Sequence, residues 1–292
     1  MDGQLLRVFY HELFHCGKRR FPPRCRYDDN VSIFIDFISV IADRSMRWAY
    51  DRRHWPLWAR RLTPPSYSQV MRRLDSDSVQ RSLTELNTSF RARLPRTSQM
   101  AVDGKPSVVG VYSKDPDARW SKLNNHDWAR GYKVHALVDA CGAVETFDVK
   151  PLDAGESTVA RQLVQRVALP GVTLRADANY DANALYAAVA ERGGRLVAPR
   201  RKPGTGLGHH RQHPDRLRAI VELEQVPGGE RTHRRHRCRI EQCFGHLTNL
   251  PFGLSPLPNW VRRLKRVKRW VTGKITLYHL YLSLRQPYAS VG

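Results

Sequence analysis

The sequence predicts an α/β fold, a mixed sheet flanked by helices, with an all-helical segment in front of it. Three observations carry that expectation. Apolar residues recur at helical spacing as far as Leu94, where Leu94-Pro95-Arg96-Thr97-Ser98 reads as a linker. The period then changes to short β-branched or aromatic runs at Met100 to Val111 and Tyr132 to Val138. Finally, adjacent strands come first and helices alternate with strands later, which is the order of a mixed sheet.

In chain order, Val31, Phe34, Ile35, Phe37, Ile38, Ile41 and Ala42 place one apolar face on a helix from Asp29 to Ala49, with Trp48 in its later turns. After Trp55, Pro56 and Trp58, the prolines Pro64 and Pro65 end one element and Ser66 caps the next, which runs to Leu74. Tyr67, Ser68, Gln69, Arg72 and Arg73 give this short helix the surface chemistry of the second helix of a helix-turn-helix. A solvated basic helix on a small bundle has the same string, so both readings stand. Ser78 to Leu94 closes the helical part.

Cys141-Gly142, between Tyr132 to Val138 and Val144 to Val149, predicts a hairpin across Asp139 to Gly142. Glu156 to Val167 returns to helical spacing, Gly171 to Ala176 reads as a strand, Asn183 to Ala190 as a helix and Arg195 to Ala198 as the last strand. The segment 201–232, rich in Gly, Pro, His and charge, reads as an exposed insertion with a short helical stretch around Leu217 to Leu223. Near the end, Val261, Leu264, Val267, Val271, Ile275, Tyr278 and Leu282 line one helical face, surrounded by Arg262, Arg263, Lys265, Arg266, Lys268 and Arg269. The stripe reads as core; the collar can grip phosphates, lie on an anionic membrane or be solvated.

The chain has 49 Lys+Arg against 27 Asp+Glu, a formal charge of +22, which favours polyanions and costs self-repulsion without one. Its five cysteines are odd in number and follow no disulfide framework, so a reducing compartment is expected, with the cytosol as default. The longest apolar run, near Ile33 to Ile41, is short for a membrane span and contains Asp36, and the chain opens without a signal-peptide pattern.

The chemistry is carried by three separated carboxylates. Asp103 in Ala101-Val102-Asp103-Gly104 and Asp177 in Leu174-Arg175-Ala176-Asp177 each end a short apolar run, and Glu241 follows Arg237 by one helical turn. Acids at two strand ends and on a helix can hold divalent ions against a phosphodiester, since Mg²⁺ prefers oxygen ligands and leaves positions for phosphate and water. Taken singly, each is more often a turn, cap or surface acid. Cys238, Cys243 and His246 match no zinc-finger spacing, and cysteines five apart on a helix diverge. Gly204, Gly206 and Gly208 lack the Lys-Ser/Thr of a nucleotide loop, and no Gly-x-Ser-x-Gly is present.

Four strings in order, Val102-Asp103-Gly104, Gly131-Tyr132-Lys133-Val134-His135-Ala136-Leu137-Val138-Asp139, Ala176-Asp177-Ala178-Asn179-Tyr180-Asp181, and Arg237 with Ile240-Glu241 and Phe244-Gly245, resemble the DDE transposases of bacterial insertion sequences. The resemblance covers residues 100–285. It implies a ribonuclease-H-like core at 100–292, a DNA-binding or assembly domain at 1–99, and Asp103, Asp177 and Glu241 as catalytic acids holding two Mg²⁺ or Mn²⁺ ions. It also implies hydrolysis of element-end DNA at the bacterial nucleoid followed by attack of the freed 3′-hydroxyl on target DNA, and two ends to process lead us to expect a homodimer in the DNA complex. Arg237, Arg234, Lys133, Arg72, Arg73, Arg262, Lys265, Arg266 and Arg269 are the candidate DNA contacts, and Asn179 and Tyr180 could shape the site. The family commonly places a tyrosine three residues before the helix arginine and a lysine seven after the glutamate, where this chain has Arg234 and Thr248. A metal-dependent nuclease that cuts without joining, and a DNA-binding protein that has lost catalysis, are the rival readings.

Overall fold

Helices build the first third of the chain and strands the middle, in a computed structural model that describes residues 2–16, 27–123, 127–254 and 256–285. Two units separate by their internal contacts, Met1–Leu94 with Leu247–Gly292, and Pro95–His246.

In the first unit, α1 (Asp2–His11) runs into a π-helical turn (Glu12–Cys16), followed by α2 (Asp29–Ala42) and α3 (Met46–Tyr50). Two 3₁₀ turns lead to α4 (Tyr67–Leu74) and α5 (Asp77–Ala92). The single helix expected over Asp29 to Ala49 is broken. Asp43 takes a left-handed conformation (φ 46°) that ends α2, and the Ser45 side chain accepts the Trp48 N–H to start α3. Helix α4 begins where expected, at a capping box in which Ser66 and Gln69 exchange side-chain and backbone hydrogen bonds. Helix α2 is buried on every side, its Ile33, Phe34, Ile35 and Phe37 fully so. Several of its buried polar groups are paired, Asp29 with Arg73 and the Ser78 hydroxyl, and the Asn30 amide with the Leu13 carbonyl, while the Ser32 hydroxyl has no hydrogen-bond partner among the described residues.

The second unit holds β1 (Gln99–Val108), β2 (Arg119–Lys122), β3 (Trp128–Asp139), β4 (Val144–Pro151), α6 (Glu156–Val164), β5 (Thr173–Arg175), α7 (Asn183–Glu191) and β6 (Arg195–Val197). Strand β1 is central, antiparallel to β3 from Met100↔Asp139 to Val108↔Gly131 and parallel to β5 from Gln99↔Thr173 to Ala101↔Arg175. Strand β6 extends the parallel side, and the far edge of β3 pairs with β2 along its first residues and with β4 along the rest. This is the mixed, ribonuclease-H-like sheet the sequence predicts. Strand β2 escaped the periodic reading because it is four residues long with little burial on either face. The β3–β4 hairpin turns at Gly142, whose φ of 84° suits glycine, while the Asp139 carboxylate accepts the Cys141 and Ala143 N–H groups.

Helices α6 and α7 cover one face of the sheet through Val159, Leu163, Leu185, Tyr186 and Val189, packed on Met100, Val102, Leu137, Leu174 and Leu196. The segment expected as an insertion contains α8 (Pro214–Ile220) and a π-helical turn (Val221–Gln225), and α9 (Gly229–Asn249) follows. Helix α9 lies on the opposite face. Ile240 is buried, the Cys243 thiol donates to the Gly142 carbonyl at 3.0 Å, and His236 and Arg239 line a crevice with Ala101 and Val138.

The last helix, α10 (Leu264–Arg285), packs against α5 and α2 in the first unit. Its apolar stripe is core, as the spacing implies: Val267, Val271, Ile275 and Tyr278 are buried. Arg269 forms a buried ion pair with Asp36 at 3.1 Å, and the fully buried Lys274 reaches Asp43 at 2.8 Å. Among the described residues no helix is long and apolar enough to cross a membrane.

Candidate active site

Asp103 sits in the middle of β1, opposite Ala136 of β3. Side chains alternate along a strand, so with Val102 in the core beneath α6, Asp103 faces the other way, towards α9. Asp177 lies two residues past β5 and caps a 3₁₀ turn (Ala178–Tyr180), its carboxylate accepting the Asn179 N–H at 2.8 Å. Parallel pairing of β1 with β5 brings these two acids together although 74 positions separate them in the sequence.

Burial pushes the Asp103 carboxyl up to about 6, with the negative charge of Asp177 adding to the rise and the Gly104 N–H opposing it. Asp177 is raised too, first by burial, then by Glu156, against the Asn179 N–H and the cations Arg237 and Lys133. Two desolvated acids facing each other form a concentration of negative charge that calls for a cation.

Arg237 of α9 supplies one. Its guanidinium donates to Glu241 at 2.9 Å and stands 3.9 Å from Asp177, so the arginine bridges the second and third candidate acids. Glu241 itself is 54% exposed. Among the described residues no three His, Cys, Asp or Glu side chains stand close enough together to hold a metal ion. The donor set nonetheless fits a hard divalent ion: Asp103 and Asp177 each use one oxygen on a neighbouring backbone N–H, and both carry desolvated charge that Arg237 offsets only in part.

Sequence reasoning missed Glu156. It opens α6, holds the Lys133 ammonium at 2.6 Å, and acts electrostatically on Asp103, Asp177 and Tyr180. A carboxylate in the first turn of a helix was the available signal, and it is also the commonplace preference of acids for that position. Lys133 thus stands beside the acids through Glu156 rather than on open solvent. Tyr180 is fully buried, and its hydroxyl finds no hydrogen-bond partner among the described residues.

The other candidate DNA contacts divide. Arg234 is exposed and pairs with Glu230 at 3.0 Å. Arg73 and Arg269 hold internal ion pairs with Asp29 and with Asp36 and Asp75, so their charge serves the helical unit. Lys265 bonds the Asp75 carbonyl yet stays exposed, Arg72 and Arg266 are exposed, and Arg262 is half-buried over the Pro258 and Val261 carbonyls.

The ribonuclease-H-like mixed sheet thus joins acids from β1 and the end of β5 beneath a helix that bears Arg237 and Glu241. A family model described as a transposase DDE domain matches residues 94–279, and the chain belongs to that family. No curated relative matches the chain. A cryo-EM structure of a piggyBac transposase synaptic complex with hairpin DNA is similar at 10% identity and a TM-score of 0.42, over 96% of this chain and 72% of that one. That likeness is too distant to assign a function.

Proposed function

We propose that this transposase-family chain cleaves the DNA at element ends and joins it to target DNA, with Asp103, Asp177 and Glu241 as its acids. The observation that carries the proposal is the pairing of Asp103 on β1 with Asp177 just past β5, two carboxylates raised by burial, Asp103 further raised by Asp177, with Arg237 and Glu241 beside them. These three acids would hold Mg²⁺ or Mn²⁺, which when bound supplies activation of an attacking oxygen and neutralisation of phosphate charge.

The chain's own residues prepare that chemistry. Strand pairing fixes the Asp103 backbone, and Asp177 is held just past β5 by the 3₁₀ turn it caps, so little reorganisation remains when DNA arrives. Arg237 holds Glu241 in reserve. Engagement of Glu241 with the acids requires that guanidinium to turn away, and a DNA phosphate is the natural new partner for it. Lys133, positioned by Glu156, offers a second phosphate contact at the same edge. Exposed Arg72, Lys265 and Arg266 give the helical unit a basic surface for the flanking duplex, and two copies would serve two ends.

The test is cleavage and joining of a labelled duplex carrying the element's own end, with and without Mg²⁺, and with Asp177→Ala in parallel. Cleaved and joined products that disappear in the variant are expected. Cleavage without any joined product would make the chain a nuclease, and DNA binding without chemistry from folded protein would leave it a DNA-binding protein.

A further inference from the structure

We infer that the β2–β3 ribbon is a stacking platform for unpaired nucleotides, an inference that rests on DNA being the substrate. Large aromatic side chains are normally buried, yet three stand out from this part of the sheet: Tyr112 is 97% exposed, Trp128 62% and Trp120 47%. The register pairs Trp120 with Arg130 and Lys122 with Trp128, so the two tryptophans are diagonal neighbours on one face of the ribbon.

The ribbon is braced rather than loose. From the same face, the Arg130 guanidinium donates to the carbonyls of Ser113, Asp115 and Ala118, and the Tyr132 hydroxyl donates to the buried Asp115 carboxylate at 2.7 Å. The loop between β1 and β2 is thereby pinned from below, and its turn, closed by Ser113 N–H to the Gly110 carbonyl, holds Tyr112 outward. Ordering these rings on binding therefore costs little entropy.

The occupant follows from charge. Lys114, Arg119 and Lys122 are exposed on the ribbon and its loop, Lys122 on the ring-bearing face with its ammonium 5.6 Å from the centre of the Trp128 ring, and Arg119 on the other face of the edge strand. Of the nearby acids, Asp115 is buried and hydrogen-bonded, which leaves Asp117, half-buried, and Asp127 against the three cations. Exposed π-faces interleaved with cations match a nucleic-acid strand whose bases are unstacked, the rings taking bases and the cations taking phosphates. A fully paired duplex offers no base face to them.

The test compares two labelled duplexes of the same sequence, one fully paired and one with a gap of about six unpaired thymidines. In fluorescence polarisation, Trp120→Ala with Trp128→Ala is expected to weaken binding of the gapped duplex by about 5- to 100-fold, the range of losing one or more stacked bases. Binding of the paired duplex should change by less than about twofold, and Trp120→Phe with Trp128→Phe should retain most of the gapped-duplex affinity. Equal losses on both duplexes, or no loss on the gapped one, would overturn the inference. So would a fall in oligomeric state by sedimentation with gapped-duplex affinity intact, which would make the rings a protein interface. Wild-type protein that binds neither duplex would refute the proposed function itself, a distinguishable result.

Discussion

Replacing Asp103 by Asn is expected to make the metal-free protein more stable while abolishing its chemistry. The Asp103 carboxyl rises in the fold from its ordinary 3.8 to about 6, so the folded state holds this proton more tightly than the unfolded chain does. Between those values stability falls as pH rises, and above about 6 the full penalty of the buried charge is present. A rise of roughly two units corresponds to about 3 kcal/mol, and the Asn side chain can still accept the Gly104 N–H. For a protein of this size that is a gain of about 5–10 °C in melting temperature at pH 7 in the presence of a chelator. Thermal unfolding of wild type and variant, repeated near pH 3.5 where the wild-type carboxyl is protonated, would trace the effect, and the difference should vanish at the acid end. Added Mg²⁺ should then raise the wild type and leave the variant where it was, because ligand binding to the folded state alone adds stability. A variant no more stable than wild type at pH 7 would refute the view that Asp103 is held at a cost for later use.

In the helical unit, Asp43→Asn keeps a residue tolerant of the left-handed conformation and an acceptor for the Trp270 indole N–H, but removes the charge facing the buried Lys274. It should cost about 3 kcal/mol in urea unfolding, with Lys274→Met in the same chain recovering much of the loss. His279 is buried beside Asn87 and its imidazole is pushed down to about 3 by burial, so it folds neutral. The unfolded chain takes up that proton first as pH falls below 6.5, so His279 alone contributes a loss of about 2 kcal/mol between pH 7 and pH 5, and His279→Gln should reduce the loss over that window by that amount relative to wild type. Gly131→Ala would drive a Cβ into the Ser107 carbonyl oxygen across the β1–β3 pair, and is expected to cost about 1–3 kcal/mol by denaturant unfolding, the range of overpacking.

Much of the sheet was legible because its signals are local. The runs at Met100 and Tyr132 alternate or cluster as strands do, Cys141-Gly142 marks a turn that needs a positive φ, and Ser66 and Gln69 spell out a helix start. Elements without such signals were missed. Strand β2 has only four residues and no buried face, and α1 precedes the first strong apolar run. The break in the helix after Ala42 depends on Asp43, an acid that takes the left-handed conformation while binding the side chains of Trp270 and Lys274, partners 227 and 231 positions away. Arg73 and Arg269 read as surface cations because nothing local shows that Asp29 and Asp36 lie buried on α2.

The sequence by itself singled out the three candidate acids, a basic field that favours a polyanion, and the change of period that separates helices from sheet, since composition and spacing are properties of neighbouring residues. Only the tertiary structure decided that Glu156 stands among the acids, that Arg237 bridges Asp177 and Glu241, that α10 shares a core with α2 and α5, and that Trp120 and Trp128 remain in solvent. Each of these turns on groups brought together by strand pairing and helix packing over long separations in the chain, and the sequence pattern around any one of them is silent about its partner.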